Sequence, residues 1–115
     1  MTNGNPYDTA HALARAIKDS EVFRRYVAVQ KQLSQNPEAL ERVRDFRNLQ
    51  MEVNQAHSLG QEPAAGRVED MAIQYAKLNK DELIAEYFQA EGLFVQMYND
   101  VQDIIQKSLD NGFEE

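Results

Sequence analysis

The sequence predicts an all-α protein of about five helices, a helical bundle whose last helix is long, amphipathic and self-associating. Three observations carry this. Between Lys80 and Leu109, apolar residues recur as Leu83, Tyr87, Ala90, Phe94, Met97, Val101 and Ile104, in alternating steps of four and three. That heptad rhythm lines one face of a helix. Asn-Pro occurs at Asn5-Pro6 and Asn36-Pro37, each time ahead of a run with helical spacing. Asn caps the orphan N–H groups there and Pro suits the first helical position. Finally, no segment alternates apolar and polar residues with a β-branched bias, so strand signals are missing.

The helices follow in order. After Asn5-Pro6, one face collects Tyr7, Ala10, Leu13, Ala14 and Ile17, through about Lys18. Asp19-Ser20 breaks this helix and caps the next, whose face is Val22, Phe23, Tyr26, Val27 and Leu33. A third helix runs from Pro37 to about Leu59, with Leu40, Val43, Phe46, Leu49, Gln50, Val53 and Ala56 on one side and Gly60 as the stop. Residues 60–66 hold Pro63 and Gly66 and read as a loop. A short fourth helix carries Val68, Met71, Ala72, Tyr75 and Leu78. Asn79, with Glu82 three residues on, resembles a capping box opening the last helix.

That helix has a second apolar line of Ile84, Phe88, Val95, Tyr98, Ile105 and Leu109. The combined face is wider than a coiled-coil seam and suits more than one partner helix. Thirty residues span about 45 Å, against a diameter of roughly 35 Å for a compact domain of this length. The helix therefore overhangs a globule built from its own chain unless a second copy covers it. Gly92 lies mid-helix and implies close packing or a kink. Asn111-Gly112 ends the helix, and residues 1–5 and 110–115 are expected to fray at either end of a single domain spanning 1–115.

Composition bounds the chemistry. With no cysteine, the chain offers no disulfide, thiolate nucleophile or zinc–thiolate site. No stretch of 18 apolar residues could span a membrane, and the polar N-terminus lacks the apolar core of a secretory signal, so a cytoplasmic location is expected. The net charge of −7 is uneven: residues 1–79 carry ten acids and ten bases, whereas 80–115 carry nine acids against Lys80 and Lys107. Such a surface repels nucleic acid unless a local basic patch dominates.

No catalytic, cofactor-binding or metal site emerges. Asp8 and His11 have helical metal spacing, but the second histidine, His57, has Asn54 at the matching place. Glu82 with Glu86, and Asp100 with Asp103, share helix faces and read as solvated acids rather than an acid–base pair, which needs a cleft. The basic features are Arg24, Arg25, Arg42, Arg44 and Arg47. Arg44 and Arg47 share a face and could hold phosphate or an acidic partner, while Arg42 can pair with nearby acids. No aromatic platform interleaves with them as single-strand binding requires.

Several stretches together resemble a known family. They are Asn5-Pro6-Tyr7-Asp8-Thr9-Ala10, Ser20-Glu21-Val22-Phe23, Phe46-Arg47-Asn48-Leu49-Gln50, the Gly60 loop, and Leu83 with Tyr87, Ala90 and Glu91. Over nearly the whole chain they resemble the YlbF/YmcA family of small helical bacterial proteins, in particular its YheA-like branch. The resemblance implies a self-associating helical subunit. Some relatives are linked to competence, sporulation and biofilm control, in a heteromeric complex that acts on RNA processing through a ribonuclease and is associated with iron–sulfur clusters. A chain without cysteine cannot inherit the cluster through thiolate ligands, and the family supplies no catalytic residues to transfer.

The expectation is a non-enzymatic regulatory adaptor, without cofactor, that forms a homodimer or higher oligomer and binds other proteins. Self-association is placed on Tyr87, Ala90, Phe94, Met97, Val101 and Ile104. The alternative is an RNA-associated factor using the five arginines on one assembled face.

Overall fold

The computed structural model describes residues 5–113. Five helices follow one another: α1 (Pro6–Asp19), α2 (Glu21–Ser34), α3 (Pro37–Ser58), α4 (Arg67–Leu78) and α5 (Glu82–Phe113). No strand occurs among the described residues.

The helix starts follow from local chemistry. Asn5 Oδ1 accepts from the backbone N–H of Tyr7 at 2.8 Å and of Asp8 at 3.4 Å. Asn36 Oδ1 accepts from Ala39 N–H at 3.1 Å. Both satisfy donors that a first helical turn leaves unpaired, and Pro follows at the next position. Ser20 does double duty. Its hydroxyl donates to Ile17 O at the end of α1 (2.6 Å) and accepts from Phe23 N–H at the start of α2 (3.2 Å).

Helix α3 ends in a Schellman arrangement. Gly60 has φ +71° and its N–H bonds His57 O, while Gln61 N–H bonds Ala56 O at 2.8 Å. The left-handed backbone that this closure needs is the one glycine adopts without a Cβ clash. Gly66, at φ +79°, turns the chain into α4 in the same way.

The start of α5 corrects one expectation. Asn79 does not open it. Asn79 has helical dihedrals and closes α4, with its backbone N–H and its Nδ2 both donating to Tyr75 O. Asp81 is the cap: its Oδ1 accepts from Leu83 N–H at 2.9 Å and Ile84 N–H at 3.3 Å. A carboxylate suits a helix N-terminus better than an amide because the macrodipole favours negative charge there. The other oxygen, Oδ2, lies 3.6 Å from Arg42 Nη1, so one side chain caps α5 and ties it to α3.

At the far end α5 passes through Asn111-Gly112 and stays helical to Phe113. Residues 1–4 and 114–115, where fraying is expected, lie outside the described residues. Gly92 marks neither a break nor a close approach: α5 is continuous across it, and a Cβ there would meet nothing within 4 Å.

The chain gathers into two compact units. One runs from Val29 to Phe88 and contains α3, α4 and the first turns of α5. The other joins α1 and the first half of α2 to α5 from Gln89 onward.

The Val29–Phe88 unit has a closed core. Val43, Phe46, Leu49 and Val53 of α3, Leu78 of α4 and Ile84 of α5 are all buried, Ile84 completely. Within it, the rings of Phe46, Tyr75 and Phe88 meet with centroids 5.4–5.8 Å apart in tilted pairs. Such pairs add about 0.5–1.5 kcal/mol each beyond area burial.

In the other unit, α2 packs on α5 through Phe94. Its ring stacks on Tyr26 at 5.3 Å and tilts against Phe23 at 5.5 Å. Arg25 Nη2 donates to Gln89 Oε1 at 2.9 Å across the same pair of helices.

Candidate interaction surface

Burial along α5 changes sharply at Ala90. Up to that residue the heptad seam is covered: Leu83 is half-buried, and Tyr87 and Ala90 are buried. Beyond it nothing on the helix is fully buried among the described residues. Phe94, Met97 and Val101 are half-covered, and Ile104 stands 66% exposed. The six residues expected to mediate self-association therefore fall into three environments: Tyr87 and Ala90 inside, Phe94 to Val101 at an edge, Ile104 open.

The second apolar line behaves similarly. Ile84 and Phe88 turn inward, whereas Val95, Tyr98, Ile105 and Leu109 are exposed. The heptad pattern locates both lines but carries no information on which of them meets a neighbour, since each step of three or four is satisfied by either.

Helix α1 shows the same openness over its full length. It has no buried residue. Its apolar face is intact in register, yet Tyr7 is 78% exposed, Leu13 and both Ala10 and Ala14 are exposed, and Ile17 is half-buried. A 14-residue helix with an uncovered apolar face is marginal in water on its own propensity. Helical spacing places the residues of this face in register but carries no sign that, among the described residues, most of it is left open.

The arginines separate by environment. Arg42 is engaged with Asp81, as above. Arg47 Nη1 donates to Gln50 Oε1 at 3.0 Å, and its guanidinium sits 5.4 Å from the centre of the Phe88 ring, a cation–π contact. Arg25 holds Gln89. Arg24 and Arg44 are exposed and make no ion pair among the described residues. Arg24 and Arg25 belong to one compact unit and Arg42, Arg44 and Arg47 to the other.

One polar link joins α3 to α4. Arg67, at the start of α4, forks onto Glu52 of α3 with Nε–Oε2 at 2.8 Å and Nη2–Oε1 at 3.1 Å, and reaches Asp70 at 3.5 Å. The hydrogen bonds from Arg67 hold the Glu52 carboxyl below its ordinary value, and the same bonds raise Arg67. The partners are fifteen residues apart across a loop, a separation with no sequence signature.

Nothing among the described residues converges on catalytic chemistry. No group of three or more His, Asp or Glu side chains is placed to hold a metal. His11 lies on exposed α1 and His57 at the exposed end of α3. Open depressions among the described residues include two on the Val29–Phe88 unit. One, of about 260 Å³, is bordered by Arg42, Asp45, Gln74, Lys77 and Leu78. The other lies between His57 and the residues from Glu62 to Glu69. Neither is enclosed. Among the described residues, no helix is long and apolar enough to cross a membrane.

A family model described as "Control of competence regulator ComK, YlbF/YmcA" matches residues 7–110, nearly the whole helical chain. The chain belongs to the YlbF/YmcA family. Among the similar YlbF/YmcA relatives is a UPF0342 protein of Symbiobacterium thermophilum, 32% identical over 90% of this chain and 93% of its own length. A UPF0342 protein of Caldicellulosiruptor saccharolyticus is 29% identical over 92% of this chain and 88% of its own. Another, from Staphylococcus epidermidis, is 29% identical over 92% and 93%. No solved structure matches. The family description is that of a regulator, and the exposed helical surface, rather than a cleft, is the feature of this YlbF/YmcA chain that calls for a function.

Proposed function

We propose that the chain is a non-enzymatic regulatory adaptor of a bacterial cytoplasmic complex, acting as a homodimer or higher oligomer that binds other proteins. The observation that carries this reading is the uncovered apolar surface of α1 and of α5 beyond Ala90. Contiguous exposed apolar side chains rimmed by charge mark protein interaction sites. The family description supports the regulatory half of the reading. Self-association along α5 then centres on Ile104, with Val101, Met97 and Phe94 at its inner edge. Tyr87 and Ala90 support the helix from within.

The experiment is affinity capture from the native cell after mild crosslinking, with and without nuclease, alongside the mass of the purified protein by light scattering. Recovery of the same regulatory or RNA-decay proteins with and without nuclease, together with a mass above one chain, is the expected result. Recovery that disappears with nuclease, with salt-dependent RNA binding lost in Arg24→Glu plus Arg44→Glu, would replace the adaptor by the RNA-associated alternative.

A further inference from the structure

We propose that Asn111 is a site of spontaneous deamidation, and that its conversion to aspartate or isoaspartate unwinds the last turn of α5.

Asn111 and Gly112 have the residue types of a helix stop, yet α5 runs through both. Among the described residues, Asn111 is the one asparagine followed by glycine. The order matters because ring closure brings the next residue's backbone nitrogen onto the asparagine carboxamide. Glycine, without a Cβ, leaves that approach open. The Gly112 amide gives up its proton, and its nitrogen bonds to Asn111 Cγ. The Cγ–Nδ2 bond breaks, and Nδ2 leaves as ammonia with a proton returned from water. A second water opens the five-membered imide at either carbonyl, which leaves aspartate or isoaspartate. No atom is oxidised or reduced.

Helical backbone opposes the closure, so the turn has to open first. Little holds it shut. Every residue from Gln102 to Gly112 is exposed. The last turn has no cation to meet its unpaired carbonyls. Asp110 instead sets a carboxylate at the negative end of the helix dipole. Gly112 is itself a poor helix former. Ser108 and Asp110 are tied back to Ile104 O and Gln106 Nε2, whereas the Asn111 carboxamide has no hydrogen-bond partner among the described residues. Segments with few buried contacts and solvent-exposed backbone bonds open at small free-energy cost. The products then keep the turn open. Aspartate adds a charge where the dipole is already negative. Isoaspartate adds a methylene to the backbone, which breaks the hydrogen-bond register of the turn.

The test is peptide mapping by mass spectrometry of the full chain during incubation at mildly alkaline pH, following a gain of about 1 Da at each asparagine. Asn99, inside α5 and followed by Asp100, is the reference. Asn111 should convert at least tenfold faster than Asn99, faster as pH rises, and within a hundredfold of its rate in the guanidinium-unfolded chain. Gly112→Ala, whose Cβ meets nothing within 4 Å, should slow it at least tenfold with helicity by circular dichroism unchanged. In Asn111→Asp, amide hydrogen exchange over residues 106–112 should quicken several-fold. Conversion no faster than at Asn99, protection beyond a hundredfold, or an unslowed Gly112→Ala chain would overturn the site. Unchanged exchange in Asn111→Asp would overturn the unwinding.

Discussion

The Val29–Phe88 unit and the unit built from α1, the first half of α2 and α5 from Gln89 onward use similar side chains to different ends. In the first, Val43, Phe46, Leu49, Val53, Leu78 and Ile84 close over one another, and the rings of Phe46, Tyr75 and Phe88 form a cluster. In the second, the rings of Phe23, Tyr26 and Phe94 meet. Tyr7, Leu13, Tyr98, Ile104, Ile105 and Leu109 nevertheless remain in water. The lesson is that amphipathic helices do not announce what they bury against. One unit carries a core of its own. The other presents half of one.

Substitutions can break or sharpen this contrast. The largest effect belongs to the closed core. Phe46→Ala should cost about 3–5 kcal/mol in urea denaturation, because a cavity among packed rings adds to the lost transfer energy. The matching change on the open unit, Ile105→Ala, should cost within about 0.5 kcal/mol in dilute protein, with the loss growing as concentration rises. Equal costs for the two at low concentration would erase the distinction.

A smaller effect tests how the closed unit is tied together. Asp81→Ala should destabilise by about 1 kcal/mol through loss of the α5 cap. Asn79→Ala should cost less, since Asn79 contributes a single side-chain bond to the end of α4. The opposite ranking would return the cap to Asn79.

The smallest effect has the opposite sign. Gly92→Ala should stabilise by about 0.4–1 kcal/mol, as the new Cβ meets open space and the unfolded chain loses freedom. Thermal unfolding at low concentration would read it. A destabilisation that appears only in the associated protein would place Gly92 at a contact between copies.

The fold was largely legible because its signals are local. Asn5, Ser20 and Asn36 cap within three residues of themselves, and Gly60 supplies the left-handed backbone at the end of α3. Other features escaped for a physical reason. Asp81 is hidden as a cap because Asn79 stands two residues earlier with a suitable Glu82. The fork between Arg67 and Glu52 depends on how the loop returns α4 to α3. Gly92 invited a packing role that its open surroundings do not require.

The sequence by itself determined that the chain is helical, where most helices start, and which side chains share a face. All of these depend on groups within a turn or two of one another. Only the tertiary structure decided that Tyr87 and Ala90 are buried while Ile104, Ile105 and Leu109 are open, since a helical repeat records which residues align and never what lies opposite them.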